Sequence, residues 1–222
     1  MIKLPDFSKS MEYENDFYLS CDNSRLSKIL SHYGLFKMIQ DLPGAIVECG
    51  VFKGTSLVRF AGFRDLFGNP DSHKIIGFDI FGKFPETAFE ADKKFRKDFI
   101  DEAGAESISK DQLLEVLKRK NIEKNLELVE GDITKTVPEY AQANPQLKIA
   151  LLNLDVDVYE PSLAILEHFY PRIVPGGVLL LDDYGKFPGE NKAVDDYFRG
   201  KNVSIKKFPF AMTPCYIIKK DT

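Results

Sequence analysis

Two apolar stretches of strand length that end in paired carboxylates restrict the fold of this chain more than any other feature. Leu151-Leu152-Asn153-Leu154 runs into Asp155-Val156-Asp157-Val158-Tyr159-Glu160-Pro161, and Val178-Leu179-Leu180-Leu181 runs into Asp182-Asp183-Tyr184. Strands buried on both faces of a parallel sheet read as continuous hydrophobic runs. Open α/β sheets place their ligands beyond the carboxyl ends of such strands. If the two strands are neighbours, four acidic groups meet on one rim, where they repel unless a cation lies among them. All-oxygen ligation favours Mg²⁺, with Mn²⁺ or Ca²⁺ as substitutes, over zinc.

The rest of the sequence supplies the alternation that such a sheet needs. Ala45–Gly50, Lys74–Ile80, Leu126–Glu130, Lys148–Leu154 and Val178–Leu181 read as strands one to five, with a helix over about Thr55–Phe67 and another over Pro161–Tyr170. Gly68-Asn69-Pro70 stops the first helix, and Pro171 with Pro175-Gly176-Gly177 ends the second and turns the chain into strand five. Val203–Phe208 and Cys215–Ile218 leave no room for a helix between them and are expected to pair antiparallel at one edge. The expectation is a single α/β domain over 1–222, a Rossmann-like doubly wound sheet that is parallel apart from its carboxyl-terminal hairpin. Two stretches lie outside the alternation. Residues 1–43 carry an amphipathic helix with Leu26, Ile29, Leu30 and Tyr33 on its apolar face. Residues 81–120 form a lid-like insertion, whose second half opens a helix with the capping box Ser109-x-x-Gln112.

Composition narrows the class without naming the chemistry. The chain has 222 residues, 44% hydrophobic and 29% charged, the balance of an ordinary soluble domain. A net charge of −4 leaves no nucleic-acid footprint, and no apolar run approaches membrane-spanning length. Cys21, Cys49 and Cys215 form neither a CxxC pair nor a disulfide framework. The amino terminus lacks the apolar stretch of a signal peptide, so a cytoplasmic protein is expected; a homodimer is left open.

The turn after strand one bears on a cofactor. Glu48-Cys49-Gly50-Val51-Phe52-Lys53-Gly54-Thr55-Ser56 lacks the first glycine of a dinucleotide fingerprint, and Lys53 precedes Gly54 where a P-loop lysine would follow. What remains is Glu48 before Gly50, then a helix whose first turn offers Thr55, Ser56 and free N–H groups. The helix start suits a small carboxylate, and Glu48 suits an amino cation. Asp79, ending strand two, stands where an acidic residue commonly grips a ribose diol. Asp132 and Ile133, after strand three, offer an acceptor for an adenine amino group and an apolar face. Together these positions describe S-adenosyl-L-methionine better than a dinucleotide.

With these residues in place, the chain resembles the macrocin O-methyltransferase family, metal- and S-adenosylmethionine-dependent enzymes that methylate sugar hydroxyls, including those of nucleotide-linked deoxyhexoses. The resemblance is carried by Val47–Gly54, by Gly77-Phe78-Asp79-x-Phe81-Gly82-Lys83-Phe84-Pro85, by Gly131-Asp132-Ile133, by Asp155-x-Asp157-x-Tyr159 and by Asp182-Asp183-Tyr184-Gly185, and it spans about Phe17–Ile218. It implies that Asp155, Asp182 and Asp183 hold magnesium and that Asp157 is the general base. Asp155 and Asp157 would share a face of an extended chain, whereas strand five must bend for both Asp182 and Asp183 to reach one ion. Some relatives place a histidine near the metal; His32, His73 and His168 all lie away from strand ends here, and His168 is assigned to packing or surface.

The expected activity is O-methylation of a sugar hydroxyl, with an aromatic vicinal diol as the alternative acceptor. Two readings of other classes were weighed. A haloacid-dehalogenase-type phosphatase also uses Asp-x-Asp after a strand, but on its first strand, whereas this motif lies on the fourth. A non-catalytic sugar-nucleotide-binding protein would keep the motifs without turnover. The acceptor pocket is expected between the amino-terminal segment, the 81–110 insertion and Lys186–Glu190, where Phe84, Phe89, Phe95 and Tyr184 offer rings for stacking.

Overall fold

The computed structural model describes residues 2–220 and carries seven strands in one sheet. In chain order the main elements are α1 (Ser10–Ser20), α2 (Asn23–Ile39), β1 (Ala45–Cys49), α3 (Thr55–Phe67), β2 (Ile75–Asp79), α4 (Glu90–Ala103), α5 (Lys110–Arg119), β3 (Leu126–Glu130), α6 (Ile133–Ala143), β4 (Ile149–Leu154), α7 (Tyr159–His168), β5 (Ile173–Leu181), α8 (Pro188–Phe198), β6 (Lys206–Lys207) and β7 (Cys215–Ile218). The sheet order is β3-β2-β1-β4-β5-β7-β6. β1 to β5 are all parallel, and β7 runs antiparallel between β5 and β6. β4 and β5 are therefore neighbours, with Leu154 opposite Leu181, so both acidic sequences leave the sheet side by side.

Strand alternation divides the core into two layers. Val47, Cys49, Phe78, Leu152, Leu154, Leu179 and Leu181 pack with Val137, Ile165, Leu166 and Val194 of α6, α7 and α8. Ile46, Ile75, Leu151, Val178 and Leu180 pack on the other face with Leu35, Phe36, Leu57, Phe60 and Leu113 of α2, α3 and α5. At roughly 1.5–3 kcal/mol for each large apolar side chain removed from water, these layers dominate the stabilisation of the sheet.

Three expectations change in detail. The helix of the amino-terminal segment is α2, but its buried stripe is Ser31, His32, Leu35, Phe36 and Ile39, while Leu30 and Tyr33 are exposed. The apolar spacing at 26, 29, 30 and 33 marked a different face, because Lys28 and His32 turn toward the acidic rim and need burial there. β5 starts at Ile173 and runs through Pro175-Gly176-Gly177, which form a bulge within the strand rather than a turn before it. Gly176 holds φ +78°, and a Cβ on Gly177 would meet the Ala150 carbonyl oxygen at 2.9 Å, so the bulge requires both glycines. The stretch Val203–Phe208 contributes only Lys206–Lys207 to the sheet. Helices α4, α6 and α8 were not delimited from the sequence. The capping box at Ser109 and Gln112 forms, opening α5.

Arg64 of α3 is wholly buried and fastens the rim opposite the acidic sequences. It donates to the carbonyls of His73, Asn125 and Ile122, each at 3.3 Å, and to Asp65 Oδ1 at 2.8 Å. Arg64→Met roughly keeps the volume but removes the guanidinium donor from the His73 and Ile122 carbonyls, leaving Asn125 only its bond from Ile75 N, and should destabilise the protein by about 2–4 kcal/mol. Urea unfolding measures this; a loss below about 1 kcal/mol would show that the carbonyls find other partners.

Candidate active site

The carboxyl rim opens into a cleft of about 1510 Å³. Its walls come from α2 (Arg25, Lys28), the β1–α3 turn (Gly50–Thr55), the insertion (Phe84, Phe95, Phe99) and the acidic sequences (Asp155–Val158, Asp182, Asp183).

At the β1 end, Glu48 follows Ile46 in the pleat and faces α3, where it is 1% exposed. Ser56 Oγ donates to Glu48 Oε1 at 2.7 Å, whereas Oε2 has no hydrogen-bond partner among the described residues. Burial pushes the Glu48 carboxyl up to about 8, against the opposing pull of Ser56 and Lys28. Thr55 opens α3, which has no side-chain cap, so its first N–H groups stay free on the cleft. Gly50 has φ +94°, and a Cβ there would lie 1.6 Å from the Asp155 carbonyl oxygen. Only glycine lets the cofactor-type turn cross the start of the acidic sequence this closely. Asp79 lines the same cleft and accepts from Phe52 N at 2.9 Å and Phe81 N at 2.6 Å, bracing two residues held at φ +48°. Asp132 caps α6 by accepting from Thr134 N at 3.0 Å, with Ile133 beside it on the cleft wall.

At the acidic end, the expected shared face of Asp155 and Asp157 forms differently. β4 stops at Leu154, and Asp157 sits at φ +64° in a tight turn closed by Val158 N to Val156 O at 2.6 Å. Asp155 and Asp157 therefore converge through a strained left-handed turn, not through the pleat of an extended strand. Beyond β5 the backbone bends at Asp182 and Asp183, as the sequence reading requires. Asp183 joins Asp155 and Asp157, whose carboxylate oxygens all lie within 4.8 Å of one another. Asp182 stays on the same rim beside Asp155, where Lys28 Nζ meets its Oδ2 at 2.5 Å and reaches Asp155 Oδ2 at 3.9 Å.

The charges of the rim are unevenly compensated. Burial pushes the Asp155, Asp157 and Glu190 carboxyls well above the usual carboxylate range, and neighbouring acids add to it. Asp183 is raised for the same reasons. Asp182 is the exception: burial opposes ionisation, yet Lys28 and His32 hold its carboxyl well below that range. Glu190 is fully buried, and its Oε1 accepts from Asp183 N at 3.2 Å.

Sequence reasoning missed Lys28 and His32, because they reach the rim from α2 and not from a strand end. His32 is completely buried and stacks on Phe60 with ring centroids 4.9 Å apart. Burial brings it down to about 4, so it is neutral near pH 7. Arg59 Nη1 lies 3.1 Å from His32 Nδ1, which assigns the ring proton to Nε2, 3.8 Å from Asp182 Oδ1. An i, i+4 Lys-His pair is the only sequence signal for this. Of the rings expected to stack on a ligand, Phe84 and Phe95 line the cleft, while Phe89 packs on Tyr159 at 5.4 Å and Tyr184 bonds Asp195.

A sheet in this order, with a glycine turn after β1 and acidic sequences after β4 and β5, defines a methyltransferase fold. Its likeness to the calicheamicin methyltransferase CalS11 shows the same architecture, with a TM-score of 0.77 and 29% identity over 96% of this chain and 86% of that one. The model of the macrocin-O-methyltransferase (TylF) family matches residues 24–210, and the chain belongs to that family. Among curated relatives, an 8-demethyl-8-(2,3-dimethoxy-alpha-L-rhamnosyl)-tetracenomycin-C 4'-O-methyltransferase of Streptomyces olivaceus is 27% identical over 72% of this chain and 59% of its own length. A mycinamicin III 3''-O-methyltransferase of Micromonospora griseorubida is 25% identical over 70% of this chain and 61% of its own. The chain thus spans about three fifths of the length of these relatives.

Glu48 generates a pH prediction. Its folded-state pKa is raised from the ordinary 4.5 to about 8, so its contribution to stability is complete below about 4.5 and is lost as pH climbs toward 8. Glu48→Gln removes the titration and should make the ligand-free protein more stable than wild type at pH 8 by at least about 1 kcal/mol, with the two alike near pH 4.5. Urea midpoints across this range check it; parallel curves for the two proteins would refute it.

Proposed function

We propose that this chain transfers the methyl group of S-adenosylmethionine to a hydroxyl of a sugar, with a divalent cation, foremost Mg²⁺, at the acidic rim. One observation carries the reading. A single cleft joins the glycine turn, Thr55 and Asp79 to a rim of converging carboxylates, with Glu48 buried behind the turn, and Gly50 binds the two ends together. Rhamnosyl acceptors in the relatives support a deoxyhexose: the tetracenomycin enzyme acts on a rhamnosyl group, and CalS11 is a TDP-rhamnose 3'-O-methyltransferase. No helix among the described residues is long and apolar enough to cross a membrane.

The residues fit the groups they would hold. The unpartnered, buried Glu48 Oε2 is an acceptor for an amino cation, and the free N–H groups of α3 suit its carboxylate. Asp79 would take the ribose hydroxyls, and Asp132 and Ile133 the adenine. Carboxylate oxygens packed within 4.8 Å of one another form a hard donor set for a hard cation. Those oxygens belong to Asp155, Asp157 and Asp183; the ligand set that the family resemblance implies, Asp155, Asp182 and Asp183, would hold the ion once Lys28 gives up its contact to Asp182, leaving Asp157 as the base.

When bound, the sulfonium cofactor supplies the methyl group, and the cation supplies acidification of an acceptor hydroxyl. The chain's own residues do the rest. Asp157 is the general base: its turn aims the carboxyl at the rim, and burial, with the Asp183 charge beside it, raises its proton affinity above that of an ordinary carboxylate. Glu190 fixes the Asp183 backbone, and Phe84, Phe95 and Phe99 screen the cleft from water.

Two titrations separate base from ligand. Asp157→Asn should keep cation and cofactor affinity while turnover falls about 10²–10⁴-fold, with part of the loss recovered at high pH. Asp155→Asn should lose cation affinity and recover with added Mg²⁺, not with pH. EDTA should abolish wild-type turnover reversibly. Recovery of Asp157→Asn by Mg²⁺ alone would make it a ligand, and full activity in EDTA after dialysis would remove the cation from the reading. Calorimetry with S-adenosylhomocysteine, with and without Mg²⁺, tests the cofactor directly.

A further inference from the structure

Helices α4, α7 and α8 begin without a side-chain cap of their own: Phe89, Val158 and Phe187 occupy the capping positions. Each N-terminus nevertheless needs acceptors for N–H groups that no helical carbonyl can reach. The acceptors come from another helix. Asp92, in the first turn of α4, accepts from Tyr159 N, the first residue of α7, at 3.0 Å. The Gly189 backbone, in the first turn of α8, lies directly against the same carboxylate, and its N–H favours the ionised form. In return Glu160, the second residue of α7, accepts from Ala88 N at 2.9 Å, Phe89 N at 3.0 Å and Thr87 Oγ1 at 3.0 Å, which capture the entry to α4.

The contact at Asp92 is tight and dry. Asp92 is fully buried, and a Cβ on Gly189 would lie 2.0 Å from its Oδ2. Tyr159 is two residues from Asp157, and Glu190 N, next to Gly189, donates to the Asp157 carbonyl at 3.2 Å. One carboxylate on the insertion therefore grips the helix that follows Asp155-x-Asp157 and the helix that follows Asp182-Asp183. Removing it frees the lid and both acidic turns together.

We infer that Asp92 is a positioning residue: by capping α7 and α8 in trans it sets the left-handed turn at Asp157 and couples that turn to seating of the 81–103 insertion over the cleft. The catalytic half of this inference rests on the proposed O-methyl transfer; the structural half does not. Acidic residues here act as caps because an ionised carboxylate bonded to helix N–H groups is favoured by both hydrogen bonding and the helix dipole.

The test uses the full chain with Asp92→Ala, Asp92→Asn and Gly189→Ala. By hydrogen exchange, Asp92→Ala should speed the amides of 87–92, of 157–160 and of Gly189 together by about 10-fold or more, as expected for losing a charge-assisted hydrogen bond. Amides of β1 and β2, and affinity for S-adenosylhomocysteine, should stay within about twofold, because their contacts lie elsewhere. With a sugar acceptor, kcat should fall about 10- to 100-fold while the KM for S-adenosylmethionine holds. Asp92→Asn, whose amide oxygen can accept the same N–H groups, should restore most of both readouts. Gly189→Ala, which drives a methyl group into the carboxylate, should reproduce the alanine variant with Asp92 intact, and it decides the matter if Asp92→Ala does not fold. Faster exchange confined to 87–92, with 157–160 unchanged, would overturn the coupling. A wild type that transfers no methyl group would defeat the proposed function and leave the exchange result standing.

Discussion

Everything at the carboxyl rim depends on how the protein tolerates acidic side chains gathered out of water. Asp155, Asp157, Asp182, Asp183 and Glu190 converge at the ends of β4 and β5, and burial alone would exact several kcal/mol from each ionised carboxylate. Asp182 meets the closest counter-charge, Lys28 at 2.5 Å, whereas Asp183 has the more exposed Lys186 at 3.7 Å. The others keep raised proton affinities, which makes the rim ready both to receive a cation and to hold a proton. Strain at Asp157 belongs to the same arrangement, since a left-handed residue persists only where its surroundings impose it.

A second constraint makes one site out of two. The turn after β1 and the sequence after β4 cross with no room for a Cβ at Gly50, whose ideal position lies 1.6 Å from the Asp155 carbonyl. Movement of the cofactor-type turn is therefore transmitted to the first acidic residue. A methyl donor and an acceptor must meet within a few tenths of an ångström for transfer to be efficient, and a backbone crossing offers less slack than any side-chain contact. Glu48, braced by Ser56 beneath that turn, extends the same rigidity into the sheet.

Amino-terminal and inserted segments complete the rim from outside the sheet. α2 lends Lys28 and His32, while α4 closes one wall and takes its first N–H contacts from Glu160. Aromatic rings of this wall pack on one another, as Phe84 does on Phe99 at 5.5 Å and Phe95 on Phe187, at the entry to α8, at 6.0 Å.

The sequence by itself determined the class of fold and the location of the chemistry. Continuous apolar runs can only be strands buried on both faces, and carboxylates at their ends can only fall on the carboxyl rim, so β1 to β5 and the residues Glu48, Asp79, Asp155, Asp157, Asp182 and Asp183 were legible from local pattern. The family resemblance added the roles. What the tertiary structure decided was the pairing of charges. The backbone bends at Asp182 and Asp183, so that Asp183 joins Asp155 and Asp157 while Asp182 meets Lys28, and Lys28 and His32 reach the rim because α2 rotates a face that apolar spacing did not mark. The caps of α4, α7 and α8 were equally illegible, since Asp92 and Glu160 act on helices 67 to 97 positions away, or return over the same gap, and no local signal encodes a partner at that distance. Local periodicity specifies which groups leave the sheet; only packing between distant segments specifies what they meet.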